Sequence, residues 1–200
     1  MSNLADSEKA VLVVMDMQEK VLSKLYDREK LVINVLKLVE LAKILNIPII
    51  ATEHNPRGLG FTEESVMNAI PRFLPVEKNT YNCFANIEFA NALQAHKRYT
   101  LILTGIEAHV TVCQTALEAF GRYGGASKYK VFIPADAVSS RNRDDKTYAL
   151  DRLRNKGAEI VTTEMLIFEL LKESGTEEFK QMLNHIKKKP LLESGDLEFL

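Results

Sequence analysis

The segment TGIEAHVTVCQTALEAF, residues 104–120, contains one of the two cysteines of the chain. A turn-like Thr-Gly pair precedes residues that have the spacing of an amphipathic helix. Cys113 is therefore either a nucleophile, because a thiolate attacks carbonyl carbon, or a small apolar residue on the buried face of that helix. Only the first interpretation makes this cysteine catalytic.

Three further side chains have chemistry that a small-molecule site uses. Asp16 follows the apolar run VLVVM, and MQEK after it has no obvious capping pattern, so a buried carboxylate here needs a partner or a function. Lys78, in PVEKNTYNCF, lies in a predicted loop and is either a solvated surface charge or a charge in the site. His54, directly after Glu53, has no second His or Asp at metal-ligand spacing, so we expect it to shape a pocket or contact substrate.

The elements that must position these residues alternate along the chain. Short β-branched runs predict strands at 11–16, 47–52, 99–105, 130–136 and 158–163, and helical spacing predicts helices at 28–46, 86–97, 109–122, 143–156 and 164–173. This alternation predicts an α/β fold with a parallel sheet covered on both faces. Ligands bind beyond the carboxyl ends of such strands, where Asp16, Glu53 and His54 lie. For Asp136, which ends the fourth strand, the sequence favours capping of the next helix.

The composition fits one domain over residues 1–200, with a core at about 10–186 and a tail at 187–200. Lys plus Arg (26) nearly balance Asp plus Glu (27), so no uniform field attracts nucleic acid or a membrane surface. No apolar run approaches the ~20 residues that span a bilayer, and the first residues do not form a signal-peptide pattern. We therefore expect a cytoplasmic protein with reduced thiols. The tail, KKKPLLESGDLEFL, is either a frayed end or an arm that packs on a partner subunit.

Several motifs together resemble one family. They are VLVVMDMQEK, IPIIATEHNPRGLG, the Lys of VEKNTYN, TGIEAHV, QTALEAF, ADAVSSR and GAEIVTTEMLIFELL. Their order over about residues 10–186 is similar to that of the isochorismatase-like cysteine hydrolases, in particular the small isochorismatase-domain proteins. The resemblance implies a three-layer α/β/α sandwich around a Rossmann-like parallel sheet. It also implies a small-molecule substrate and a homo-oligomer.

The resemblance assigns the catalytic positions to Asp16, Lys78 and the residue six positions after the Gly of GIEAHV, which is Thr111 where the family has a cysteine. In the family mechanism a thiolate attacks an amide or related carbonyl, the Asp moves the proton and the Lys supports charge. Backbone N–H groups near Ala108 and position 111 would stabilise the oxyanion, beside a cis peptide bond expected at Glu107–Ala108. We therefore predict substrate contacts at Glu53, His54, Glu107 and Ala108. Nicotinamidases of this superfamily carry a metal motif that EHNPRGLG does not reproduce, so no metal and no other cofactor is expected.

Cys113 does not replace the missing cysteine in this register. Two residues along an α-helix rotate a side chain by about 200°, so Cys113 faces the core if Thr111 faces the pocket. Thr111 is a poor nucleophile because its hydroxyl ionises far less readily than a thiol. The isochorismatases that name the family cleave a vinyl ether without a cysteine nucleophile. The chain is therefore predicted to be a hydrolase of an amide-type C–N bond or a vinyl ether, with altered chemistry at Thr111. The alternative is an inactive member that binds a small molecule or serves in assembly.

Overall fold

A computed structural model describes residues 3–121 and 129–186. The strands in these ranges are β1 (Ala10–Met15), β2 (Ile49–His54), β3 (Val76–Lys78), β4 (Thr100–Ile106), β5 (Lys130–Pro134), β6 (Val138–Ser139) and β7 (Glu159–Val161). The helices are α1 (Glu19–Leu22), α2 (Arg28–Ile44), α3 (Pro56–Leu59), α4 (Glu64–Ala69), α5 (Ile87–His96), α6 (Cys113–Gly121), α7 (Arg143–Arg154), α8 (Thr163–Leu171) and α9 (Glu177–Ile186). A 3₁₀ turn at Cys83–Ala85 and a π-helical turn at Ala108–Val112 complete the elements.

The strands form one parallel sheet in the order β3-β2-β1-β4-β5-β7, and β6 pairs with the carboxyl end of β4. The two central strands, β1 and β4, are buried throughout, which is why their sequences are nearly continuous runs of Val, Ile and Leu. The carboxyl ends of β1, β2, β3 and β4 lie at the same edge. The sheet therefore brings the residues that follow these strands together.

Helices cover both faces of the sheet, which confirms the predicted three-layer fold. Leu12 and Val14 of β1 pack with the buried faces of α2, α8 and α9, whereas Val11 and Val13 pack with those of α5, α6 and α7. This alternation follows from the pleat, because successive side chains of a strand point to opposite faces. No helix in the described part of the chain is long and apolar enough to cross a membrane.

A close approach of two backbones fixes the carboxyl end of β1. Gly105 of β4 lies opposite Met15 and has a φ of 103°. A Cβ atom added at Gly105 would lie 2.1 Å from the carbonyl oxygen of Met15, so only glycine fits. This contact fixes the backbone immediately before Asp16.

The long elements lie within a few residues of their predicted positions, but the sequence did not reveal several short ones. The strands β3 and β6 and the helices α1, α3, α4 and α9 were not predicted. Asp136 also differs from expectation, because its carboxylate accepts hydrogen bonds from the N–H (2.7 Å) and hydroxyl (2.9 Å) of Thr163 at the start of α8 rather than capping α7. The sequence GRYGGASKYK at 121–130 also predicts a Gly-rich surface loop; its residues 122–128 lie outside the described residues, as does the tail at 187–200.

Candidate functional site

Asp16 begins the candidate site at the end of β1. Its backbone adopts a left-handed conformation with a φ of 53°, which Asp and Asn tolerate better than most residues. Two backbone hydrogen bonds hold this turn: Asp16 N–H donates to the Thr52 carbonyl (3.0 Å), and Gln18 N–H donates to the Asp16 carbonyl (2.6 Å). A non-glycine residue held in this way is a feature that clusters at functional sites.

The carboxylate of Asp16 accepts three hydrogen bonds from side chains. The Thr52 hydroxyl donates to Oδ1 at 2.6 Å, while Lys78 Nζ (2.7 Å) and the Thr111 hydroxyl (2.9 Å) both donate to Oδ2. Asp16 is 6% exposed, and Lys78 and Thr111 are each 3% exposed. The three residues that the family resemblance assigned therefore meet at one buried carboxylate.

Lys78 is not in a loop, which corrects the prediction from its sequence context. It ends strand β3, where it pairs with His54 of β2. Its side chain is fully buried in an ion pair with Asp16, so the interpretation as a solvated surface charge is wrong. Burial of an ammonium group is expensive without a partner, and Asp16 supplies the opposite charge.

Thr111 lies in the π-helical turn that joins β4 to α6. The α-helix predicted from residue 109 begins only at Cys113, because the N–H of Val112 bonds to the carbonyl of Glu107 five residues earlier, at 3.2 Å. Single π turns of this kind occur frequently at functional sites. Here the turn presents the Thr111 hydroxyl to Asp16.

Both cysteines are buried, and neither lines the cavity described below. Cys113 is 3% exposed and belongs to the same hydrophobic core cluster as Ala116 and Leu153, which agrees with its interpretation as a core residue. Burial raises its pKa above the ordinary value. Cys83 is fully buried, and burial raises its pKa to about 11 despite the opposing effect of the Lys78 charge. Neither thiol is therefore a ready nucleophile at neutral pH.

A cavity of about 660 Å³ opens in front of Asp16 and Thr111. This volume is within the range of small-molecule sites. Its wall combines apolar, polar and charged side chains, namely Asp16, Gln18, Lys20, Val21, Lys24, His54, Asn55, Leu59, Tyr81, Ile106, Glu107, Val110, Thr111, Gln114 and Arg141. Sequence reasoning identified four of these, Asp16, His54, Glu107 and Thr111.

Gln18 is a residue of the site that sequence reasoning missed. It is fully buried, and its amide accepts from the N–H of His54 (2.8 Å) and donates to the carbonyls of His54 (3.0 Å) and Gly60 (2.6 Å). These bonds tie the segment that contains α3 to the end of β1. The only sequence signal was its place two residues after Asp16 in MDMQEK.

His54 forms part of the cavity wall, where its ring stacks on Tyr81 with a centroid distance of 4.9 Å. Burial, followed by the Lys78 charge, lowers the pKa of His54, which favours the neutral ring at pH 7. Its Nδ1 atom is buried and has no hydrogen-bond partner within the described residues. A neutral ring with an unsatisfied nitrogen suits contact with a bound molecule.

The other predicted contact residues have different positions. Glu53 is buried away from the cavity, and its carboxylate accepts from the N–H and hydroxyl of Thr62, both at 2.7 Å. Glu107 lines the cavity, whereas Ala108 is buried beneath it in the π turn. The cis peptide bond joins Ile106 and Glu107, where β4 ends, so its expected position at Glu107–Ala108 is wrong.

Within residues 3–121 and 129–186, no three His, Cys, Asp or Glu side chains come together in an arrangement that would hold a metal ion. The carboxylates nearest the site are instead engaged by protein groups. Asp16 bonds to Lys78 and two threonines, and Glu107 bonds to Arg141.

The model of the isochorismatase domain matches residues 10–165, which include all the strands and the whole site. This chain belongs to the isochorismatase family. Isochorismatase family protein 1B of Dictyostelium discoideum is 33% identical over 180 residues, covering 88% of this chain and 85% of the relative. Isochorismatase domain-containing protein 2 of Danio rerio is 32% identical over 173 residues, covering 86% and 84%.

Solved structures confirm the isochorismatase fold over nearly the whole chain. A structure described as the MAR1 ribonuclease of Caenorhabditis elegans has a TM-score of 0.85 and 29% identity, and the alignment covers 98% of each chain. The YcaC gene product of Escherichia coli, described as an octameric hydrolase of unknown specificity, has a TM-score of 0.84 and 26% identity, covering 92% of this chain and 91% of that one.

Proposed function

We propose that this isochorismatase-family chain is a small-molecule hydrolase. Asp16 accepts and donates the proton, and a water molecule attacks the substrate in place of a protein thiol. One observation carries this proposal: the Asp16 carboxylate opens onto the cavity, whereas both thiols are buried away from it. Thr111, at the position of the family's cysteine, donates its hydrogen bond to that carboxylate.

The hydrogen-bond capacity of Asp16 supports a role in handling water. An ionised carboxylate has about four acceptor positions, and Thr52, Lys78 and Thr111 fill three of them. One position is left for a water molecule on the cavity side. The ion pair with Lys78 holds the carboxylate in place beside the cavity, where it is positioned to accept a proton from that water.

For an amide-type substrate, water attacks the carbonyl carbon while Asp16 accepts one of its protons. Backbone N–H groups at Ala108 and Thr111 would stabilise the resulting oxyanion. The C–N bond then breaks as Asp16 returns the proton to the leaving nitrogen. A vinyl ether would require the acid form of Asp16 instead: its proton goes to the alkene carbon, water adds to the resulting cation and returns a proton to Asp16, and the hemiketal breaks down to a ketone and an alcohol.

The alternative function is that of a binding or assembly module without turnover. It is favoured by the replacement of an ionisable thiol by the Thr111 hydroxyl, with an open cavity retained. Under this alternative, ligands bind in front of Asp16 but leave unchanged.

The test is loss of substrate from a panel of small amides, ureas and vinyl ethers, followed by mass spectrometry with the purified full chain. Asp16→Asn is expected to lower kcat by at least about 10²-fold, the usual contribution of acid–base catalysis. Cys83→Ala and Cys113→Ala should retain turnover, because neither thiol forms a covalent bond with the substrate. Loss of activity in either variant with an intact fold contradicts attack by water, and ligand-dependent thermal stabilisation without turnover of any compound favours the binding module.

We also propose a homo-oligomer in the cytoplasm without a nucleic-acid partner. The octameric state described for the Escherichia coli neighbour supports the assembly. The near-zero net charge of −1 argues against extended contacts with phosphates, although the Caenorhabditis elegans neighbour is described as a ribonuclease. A short single-stranded RNA added to the substrate panel tests this point, since its cleavage would contradict the proposal.

A further inference from the structure

Arg141 is held in a defined orientation at the cavity by a residue from a neighbouring segment. One oxygen of Glu107, Oε1, accepts from both the backbone N–H (3.1 Å) and the Nε–H (2.9 Å) of Arg141. The Glu107 side chain is 12% exposed, so the anchoring group is largely enclosed, whereas the Arg141 side chain is 57% exposed. Burial alone would raise the pKa of Glu107, but the hydrogen bonds from Arg141 lower it below the ordinary value, which keeps this anchor ionised.

Glu107 occupies only the inner nitrogen of the guanidinium group. The two terminal nitrogens of Arg141 make no hydrogen bond or ion pair within residues 3–121 and 129–186, although the Asp145 carboxylate is near enough to contribute, after Glu107, to the raised pKa of Arg141. A planar guanidinium group presents such N–H groups in a geometry that matches the two oxygens of a carboxylate. Because the side chain is already oriented, less conformational freedom is lost when an anion binds.

The charges around the cavity also favour an anion. Asp16 is matched by Lys78, and Glu107 is matched by Arg141. Lys20 and Lys24 complete the charged groups of the wall; Lys20 bonds to a neutral carbonyl, and the Lys24 ammonium has no partner in the described part of the chain. The wall therefore carries two unmatched positive charges, although the whole chain has a net charge of −1. This excess is a local property of the cavity.

We propose that Arg141 is a specificity-determining residue that binds a carboxylate of the substrate, so that the substrates of this enzyme are small organic acids. The carboxylate binds the terminal nitrogens of Arg141, and the bond to be cleaved faces Asp16 on the same cavity wall. This inference rests on the proposed hydrolase function, because it takes the bound acid to be a substrate. The binding preference itself can be measured without turnover.

The experiment compares matched probes that differ only in charge: benzoate with benzamide, and butyrate with butyramide. Affinities for the full chain are measured at constant ionic strength by calorimetry or, in the millimolar range, by chemical-shift titration. The wild type should bind each carboxylate at least about tenfold more tightly than its amide, since hydrogen bonds to charged groups contribute about that much. Arg141→Gln should remove this preference and leave the affinity for the amides unchanged.

Three further variants make the result specific. Arg141→Lys should have an intermediate preference, because the charge remains but the planar pair of donors is lost. Arg154→Gln is the matched control, because Arg154 is an exposed residue paired with Asp151 and does not line the cavity. Lys24→Gln should lower affinity for both carboxylates only modestly. If Lys24→Gln rather than Arg141→Gln removes the preference, or if the wild type has no preference, the assignment is overturned.

The failure of this inference can be distinguished from the failure of the proposed function. Asp16→Asn should lower kcat by at least about 10²-fold but keep the preference for carboxylates. A wild-type chain that prefers carboxylates and hydrolyses nothing overturns the hydrolase proposal and leaves Arg141 as an anion-binding residue. A chain that hydrolyses neutral amides without a preference for acids overturns the role of Arg141 alone.

Discussion

At the scale of single residues, the site depends on which groups donate hydrogen bonds to the two oxygens of the Asp16 carboxylate. Lys78 and Thr111 share Oδ2 of Asp16, so each of them affects the charge and orientation available to the other. Groups that share a buried partner in this way are energetically coupled and are best studied in pairs.

The Asp16–Lys78 pair should show this coupling in stability. Lys78→Met leaves the buried carboxylate without its counter-charge and is expected to lower the free energy of unfolding by about 3–5 kcal/mol. The double variant Asp16→Asn/Lys78→Met should lose clearly less than the sum of the two single variants, as measured by urea unfolding. Lys43→Met is the control, since its ion pair with Glu40 is partly exposed and should contribute less than about 1 kcal/mol. Additive effects at positions 16 and 78 would mean that the two groups act independently.

Thr111→Cys tests whether position 111, which the family resemblance assigns to the nucleophile, activates a thiol. A thiol here would lie beside Asp16 and Lys78 rather than in the apolar core, so iodoacetamide at pH 7.5 should label it faster than Cys83 or Cys113. Lys78→Met in the same background should slow the reaction, because a nearby cation favours the thiolate. Peptide mapping assigns the label, and preferential labelling of Cys113 would instead show that the assumed register is wrong.

The sequence predicted the residues of the site better than their directions. Asp16, Lys78 and Thr111 could be assigned because each belongs to a recognisable motif. The sequence did not show which of Glu53 and His54 faces the cavity, because both follow the same apolar run. They are adjacent in β2, so their side chains point to opposite faces of the sheet. His54 lines the cavity, whereas Glu53 accepts a hydrogen bond from Thr62.

At the scale of elements, the ends of β1 and β4 control the site because Asp16 follows one and the Thr111 turn follows the other. Long elements were predictable from periodicity. The three-residue strand β3 and the π turn were not, since their geometry depends on pairing with β2 and on bonds to Glu107 that are not visible in local sequence.

Gly105→Ala should damage this arrangement. The added methyl group would lie 2.1 Å from the Met15 carbonyl oxygen at a φ that alanine rarely adopts, so we expect a loss of at least about 2 kcal/mol in the free energy of unfolding. Probe binding in the cavity should weaken as well, because the backbone before Asp16 must move. Gly121→Ala is the matched control: among the described residues, outside its own helix backbone and chain neighbours, no heavy atom lies within 4 Å of its added Cβ, so stability there should be unchanged or higher. Equal effects at both glycines would contradict the role of the β1–β4 contact.

At the scale of the whole molecule, motifs spread along the chain are sufficient to predict the family and the parallel sheet. They do not predict assembly, because one sequence does not show which surfaces of two subunits contact each other. We expect light scattering at micromolar concentration to give a multiple of the monomer mass. Removal of residues 187–200 tests whether the tail with Leu191, Leu192 and Phe199 is required for it. A monomeric full chain contradicts the assembly proposal, and an unchanged mass after truncation removes the tail from it.

The burial of both thiols has a consequence for how this protein would respond to oxidative stress. Enzymes that attack with an exposed thiolate lose activity when peroxide converts it to a sulfenic or higher acid, because oxidation follows thiolate character and exposure. Cys83 and Cys113 are enclosed and have raised pKa values, and the cavity wall contains the hydroxyl of Thr111 but no thiol. Turnover should therefore persist in hydrogen peroxide at concentrations that inactivate the Thr111→Cys variant. In a cell, the proposed hydrolase would therefore keep working at peroxide levels that inactivate enzymes with an exposed catalytic thiolate.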